Sequence, residues 1–198
     1  SNNKWYALAA ALYYLGSDYS FSTAVLKNKN NLILKGGGDP DLSIEQLDSL
    51  AKIVSKVLNE VDTLYLDDNL LDSLDYGPGW MWDEGSSWWV APIGALSLND
   101  NSIDFHIKPG DVNKPAIINH IPATQYIKVN NKSKTVNDTL NYKKLNIERN
   151  WISQNNHFLV TGEVLDTASI DTIYRNINNP TLFTGTIFKE LLEKYGVL

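Results

Sequence analysis

The feature that most constrains the fold is an apolar stripe in the segment 43–61. Leu47, Leu50, Ala51, Val54, Val57, Leu58 and Val61 recur at spacings of three and four residues, which aligns them on one face of an α-helix. Ser43 and Gln46 form a capping box at its start. The helix is expected to run the whole length 43–61. The apolar run Thr63–Asp67 follows it and reads as a buried strand. With 43% hydrophobic and 11% aromatic residues in 198 positions, the chain can bury a substantial core, as one large domain or two small ones.

Other elements can be placed around this helix. Residues 2–15 predict a first helix, with Ala7, Leu8, Ala11, Leu12 and Leu15 in helical spacing and Gly16 as its stop. Residues 21–26 and Asn31–Lys35 read as strands, and the turn Gly36-Gly37-Gly38-Asp39-Pro40 follows. The segment 68–101 is loop-rich and aromatic. Residues 102–107 alternate, with Ile103, Phe105 and Ile107 on one face. From 109 to 162 the chain turns polar and rich in Asn, Lys and Thr. Strands are expected there at 116–118, 126–129, 145–149 and 158–162, forming a small β-rich unit. A last helix is expected over 180–195, with Asn179 as cap, Pro180 at its first position and Gly196 at its end.

Several function classes are excluded. The net charge is −6, from 17 basic and 23 acidic residues, and no basic cluster exceeds Lys143-Lys144; a nucleic-acid groove needs clustered cations. There is no cysteine, which removes disulfides and thiolate metal sites. Asp39, Asp41 and Ser43 imitate the start of a calcium loop, but Ile44 and Leu50 stand where Gly and Glu are required. Gly36 to Gly38 precede an aspartate and lack a following Lys-Ser/Thr, so they do not form a phosphate loop. His106, His120 and His157 have no ligand spacing. The longest apolar stretch, 5–15, is shorter than the roughly 20 residues that span a bilayer.

Two constellations could carry chemistry. Ser1 and Lys4, three residues apart, share one face of the first helix. A lysine whose pKa falls toward neutrality can deprotonate a serine hydroxyl and so make it a nucleophile, and Ser-x-x-Lys is such a unit. By itself the pair fits an N-capping serine and a solvated lysine better than a catalytic unit. The second constellation is the cluster Trp80, Trp82, Trp88 and Trp89 around Asp83 and Glu84. A carboxylate beside an aromatic wall suits an ammonium group. The same cluster also fits tryptophans filling a core beneath a long loop.

In order along the chain, these motifs resemble the low-molecular-mass class C penicillin-binding proteins, the D-alanyl-D-alanine carboxypeptidases/endopeptidases. The resemblance rests on Ser1-Asn2-Asn3-Lys4 opening an Ala-rich helix, Leu15-Gly16-Ser17-Asp18-Tyr19-Ser20-Phe21-Ser22-Thr23, Gly36-Gly37-Gly38-Asp39-Pro40-Asp41-Leu42 and Leu66-Asp67-Asp68. Gly79-Trp80-Met81-Trp82-Asp83, Ala91-Pro92, Pro109-Gly110 and Val160-Thr161-Gly162 continue it.

The resemblance implies an α+β fold: the nucleophile helix of a serine β-lactamase/transpeptidase-like domain, followed by inserted α/β and small β-rich domains. Residues 1–22 would be the nucleophile helix, 23–110 and 160–180 the first insert, 111–159 the second, and 181–198 a helix returning to the transpeptidase domain. It also implies a serine acyl-enzyme acting on peptidoglycan stem peptides, with Ser1 as nucleophile and Lys4 as base. Glu84, Trp89 and Asp83 would contact the diamino acid of the stem. Penicillins and other β-lactams would acylate Ser1, no metal or organic cofactor is implied, and the setting would be periplasmic or extracytoplasmic, which admits peripheral membrane association.

The chain departs from the pattern in one respect. The family's Ser-x-Asn and Lys-Thr-Gly motifs are not where they should be. Ser97-Leu98-Asn99 matches the first only literally, inside the first insert, and Lys134-Thr135-Val136 has Val in place of Gly. The chain is therefore expected to be a fragment with little activity alone. The rival expectation is a non-catalytic module that binds peptidoglycan or carbohydrate through the Trp-rich loop.

Overall fold

A computed structural model describes residues 2–72, 74–81 and 84–197. Ser1 and Asp83, together with Ser73, Trp82 and Leu198, lie outside the described residues. The fold is mixed α and β, with three α-helices and several small sheets among the described residues.

Helix α1 (Asn3–Leu15) begins where the Ser-x-x-Lys segment predicts and stops at Gly16, whose φ of 82° is left-handed. None of its residues is buried, although its sequence is apolar nearly all round. β1 (Ala24–Asn28) and β2 (Asn31–Lys35) form an antiparallel hairpin, and β3 (Thr63–Asp67) joins β2 in parallel. Strand β1 starts three residues later than expected. β3 is an edge strand with no fully buried residue, so the expectation of a buried strand is corrected: it has a sheet neighbour on one side only.

Helix α2 (Ile44–Val54) has the expected capping box, Ser43 Oγ accepting from Gln46 N–H at 3.3 Å and Gln46 Oε1 from Ser43 N–H at 2.7 Å. It ends seven residues before Val61. Ser55 Oγ donates to Lys52 O, and the following amides close tight turns onto Ile53 and Val54. Leu58 and Val61 still reach the core, whereas Val57 is 70% exposed. The stripe thus outlasts the helix, because turn residues can deliver apolar side chains to a core as well as helical ones.

β4 (Ser102–Lys108) buries Ile103, Phe105 and Ile107 as the alternation predicts. It is central in an antiparallel sheet between β5 (Ile117–Ile121) and β11 (Asp171–Asn176). β6 (Lys128–Asn131), β8 (Asn146–Arg149) and β9 (His157–Thr161) make a third sheet, with β9 central. β7 (Lys134–Val136) pairs in parallel with β10 (Glu163–Leu165). Strands β7, β10 and β11 had no sequence signal, being short or irregularly patterned. Phe105 and Phe158 meet with ring centroids 4.9 Å apart, joining two of the sheets.

Helix α3 (Pro180–Lys194) is capped by Asn179, whose side chain accepts from Leu182 N–H at 2.9 Å. Its buried Phe183, Ile187, Phe188 and Leu192 join Leu32, Leu34, Leu47, Ala51, Phe105 and Phe158 in one hydrophobic core. Two glycines permit close approach of chain segments. A Cβ on Gly37 would collide with the Ser22 backbone, and one on Gly185 with the Leu66 side chain. The first keeps the Gly-rich turn against the segment leaving α1, and the second lets α3 lie on β3.

Candidate functional site

The acidic, aromatic loop is built on irregular backbone between β3 and β4. Residues Trp88–Val90 form a single 3₁₀ turn, closed by Val90 N–H onto Ser87 O. This turn brings Trp89 back over Glu84: Trp89 Nε1–H donates to Glu84 Oε2 at 2.8 Å. Trp88 and Trp89 stand edge to face with centroids 6.2 Å apart. Glu84 is half-buried, while Trp89 is 62% exposed. A carboxylate held by an indole N–H and flanked by an open aromatic surface can receive a cationic group from solvent.

Behind the loop is a cavity of about 260 Å³ lined by Tyr76, Trp80, Met81, Gly85, Val90 and Trp151. Trp151 comes from the β-rich segment, more than sixty positions along the chain from the others. Gly85, at φ 64°, leaves only ordinary contact distance between its position and the Trp151 ring. Tyr76 is edge to face with Trp80 at 6.0 Å. Burial pushes the Tyr76 phenol up from its ordinary value, an effect opposed by the positive charge of Arg149 and reinforced by Asp75. The tryptophans therefore divide: Trp80 borders a cavity, whereas Trp88 and Trp89 present half or more of their surface to solvent.

Lys4 lies exposed on α1. The structure brings Glu84 and Trp89 together, and among the described residues no hydrogen bond or ion pair joins Lys4 to either. Ser97, in the literal Ser-x-Asn match, is buried; its Oγ donates to Gly94 O at 2.8 Å and accepts from Asn101 Nδ2 at 3.0 Å. Thr135 is buried too, its Oγ1 accepting from Gly110 N–H. Ser97 and Thr135 are thus both held within the fold by backbone and side-chain partners. Among the described residues no group of three or more His, Asp or Glu could hold a metal ion.

Sequence reasoning missed Tyr76, Trp151, Arg149 and Asn176. Trp151 and Arg149 lie in a polar stretch whose periodicity shows nothing unusual, and only the packing of β8 beside the loop brings them to it.

The profile of the D-Ala-D-Ala carboxypeptidase 3 (S13) family matches residues 1–198. A D-alanyl-D-alanine carboxypeptidase of Actinomadura sp. (strain R39) is 31% identical over all of this chain and 39% of its own length. A penicillin-sensitive carboxypeptidase A of Dictyostelium discoideum is 25% identical, over all of this chain and 42% of its own. The crystal structure of penicillin binding protein 4 (dacB) from Haemophilus influenzae superposes with a TM-score of 0.79 at 22% identity, covering all of this chain and 45% of that one. The same protein, solved in complex with a β-lactam, gives a TM-score of 0.67. The chain thus spans less than half the length of these relatives.

Proposed function

The chain belongs to the D-Ala-D-Ala carboxypeptidase 3 (S13) family, and from that premise we propose that it is the leading part of a serine peptidase that cleaves terminal D-Ala, or D-amino-acid cross-links, in peptidoglycan stem peptides. The reading is carried by the family match over residues 1–198, which includes the Ser1-x-x-Lys4 motif, whose Lys4 lies in the first turn of α1.

In this reading Ser1 Oγ attacks the carbonyl carbon of the scissile D-Ala bond while Lys4 takes its proton. Backbone amides, that of Ser1 included, stabilise the oxyanion. The proton passes from Lys4 to the departing amine, D-Ala leaves, and water hydrolyses the Ser1 ester. Such a lysine has to lose solvent. Helix α1 is fully exposed here, and a helix apolar all round is suited to burial. The polypeptide that completes the transpeptidase domain would then cover α1 and Lys4.

The proposed partition takes 1–22 as the nucleophile helix, 23–110 with 160–180 as the first insert, and 111–159 as the second. Residues 181–198, whose helix α3 packs on α2 and β3, would lead back to the transpeptidase domain. Glu84 and Trp89, with Asp83 beside them in sequence, would take the ammonium group of the stem's diamino acid. The site of action would be outside the cytoplasmic membrane; among the described residues no helix is long and apolar enough to cross one.

The test is covalent labelling of the intact protein with a fluorescent penicillin. Ser1→Ala and Lys4→Ala should abolish labelling. Persistent labelling in Ser1→Ala would end the assignment of the nucleophile.

The exposed, edge-to-face pair Trp88 and Trp89 favours a second reading, a binding module for peptidoglycan or its sugars. It predicts muropeptide binding that survives Ser1→Ala and is lost in Trp89→Ala.

A further inference from the structure

One side-chain amide holds the acidic, aromatic loop. Asn176, the last residue of β11, is 0% exposed. Its backbone N–H donates to Ser86 O at 3.0 Å. Its Nδ2 faces three backbone carbonyls of the loop: Gly85 O at 3.2 Å, Ser87 O at 2.9 Å and Val90 O at 3.0 Å. A primary amide has two hydrogens to offer, so the three oxygens share them. Four donor–acceptor contacts, to Gly85, Ser86, Ser87 and Val90, thus fix the chain from just after Glu84 to the end of the 3₁₀ turn that carries Trp89.

The amide's orientation is dictated by Arg149. Asn176 Oδ1 accepts from Arg149 Nη2 at 2.5 Å. A guanidinium only donates, so the carbonyl end of the amide must face it and the NH₂ end must face the loop. Arg149 is 4% exposed, and Nη1 reaches Asn155 O at 3.4 Å. Its Nε is buried without a partner, and none of its hydrogen-bond partners is a carboxylate. A buried cation in this state is costly to the fold. Its backbone N–H also meets Ser86 Oγ at 3.4 Å. The β-rich segment therefore contacts the loop through the same residue that orients Asn176.

We infer that Asn176, oriented by Arg149, is the positioning residue that sets Glu84 and Trp89 for an ammonium-bearing side chain, so that discrimination between stem peptides depends on it. This rests on the reading above that Glu84 and Trp89 receive that ammonium group.

Asn176→Asp separates positioning from folding. The aspartate keeps the size and the oxygen facing Arg149, gains an ion pair with it, and loses the donors to the three carbonyls. Hydrogen exchange on this chain should then show the amides of Ser87 and Val90 losing protection at least about tenfold, with β4 and β9 unchanged. In the intact enzyme, KM for a stem peptide with a free side-chain amine should rise about tenfold, the worth of one charge-assisted hydrogen bond. The kcat, the penicillin acylation rate and KM for the same peptide acetylated on that amine should stay as they are.

Unchanged loop protection, equal loss of protection in loop and core, or KM values that rise alike for both peptides would each overturn the inference. Arg149→Met serves as a second variant should the aspartate not fold. It frees the amide to turn over and should loosen the same two loop amides; full protection there removes the role given to Arg149. Glu84→Gln tests the underlying reading separately. If it leaves the preference for the free amine intact, the ammonium assignment fails, while the exchange data still decide what Asn176 does.

Discussion

Glu84 and Trp89 are five residues apart and meet where the 3₁₀ turn Trp88–Val90 carries Trp89 back over Glu84. Their 2.8 Å hydrogen bond orients the carboxylate, and the exposed indole gives the aromatic wall. Replacing Glu84 by Gln removes the charge but keeps the shape, and should weaken binding of an amine-bearing stem peptide to the intact protein about tenfold. Trp89→Phe keeps a ring while losing the N–H, and should weaken binding less than Trp89→Ala. Titration calorimetry of the three variants orders them; equal losses in Phe and Ala variants would mean that the hydrogen bond, not the wall, matters. The acidic motif was legible in the sequence because its residue types are unusual together. Which of Trp80, Trp88 and Trp89 open most to solvent was not, since that depends on the segments they pack against.

Among the elements, α2 was the most legible and yet the worst bounded. Its capping box depends on two residues three positions apart, Ser43 and Gln46, and formed as the sequence predicts. Ser43→Ala should cost about 1 kcal/mol, seen as a fall of roughly 2–4 °C in Tm for a chain of this size. Its far end was misread because the apolar stripe continues into turns that feed the same core.

Helices α2 and α3 are tied by Asp48, which accepts from Lys194 Nζ and from Tyr195 O–H, each at 2.8 Å. The Lys194 and Tyr195 hydrogen bonds hold the Asp48 carboxyl below its ordinary value of 3.8. A depressed carboxylate contributes stability that is present above its unfolded pKa and lost as pH falls through the folded one. The Tm difference between the wild type and Lys194→Ala should therefore be full at pH 7 and shrink below about pH 4. A difference that stays constant down to pH 3 would show that the contact acts through packing alone.

At the scale of the whole molecule, one hydrophobic core runs from β2 and α2 through β4 to β9 and α3. The Phe105–Phe158 pair lies where the sheet of β4 meets the sheet of β9. Both rings are fully buried, so Phe158→Ala should cost about 3–5 kcal/mol, through lost contacts and the cavity left behind. Because the core is shared, denaturant unfolding followed at the tryptophans and by far-ultraviolet circular dichroism should shift together in this variant. Separate transitions for the β-rich part and the rest would show that the inserts fold independently.

The sequence by itself determined what depends on near neighbours: helix starts at Asn2, Ser43 and Asn179, helix stops at Gly16 and Gly196, the alternation of β4, and the ordered motifs that mark the family. These are properties of spacing and of side chains meeting backbone three or four residues away. Only the tertiary structure decided that β3 is an edge, that β7, β10 and β11 exist, and that α1 buries none of its residues. It alone placed a buried arginine and asparagine from distant strands behind the acidic loop. Those features rest on contacts between distant segments, from 27 residues apart for Arg149 and Asn176 to 86 for Asn176 and Val90, where local pattern carries no register, and on hydrogen-bond partners that a buried polar group acquires only once the core has closed around it.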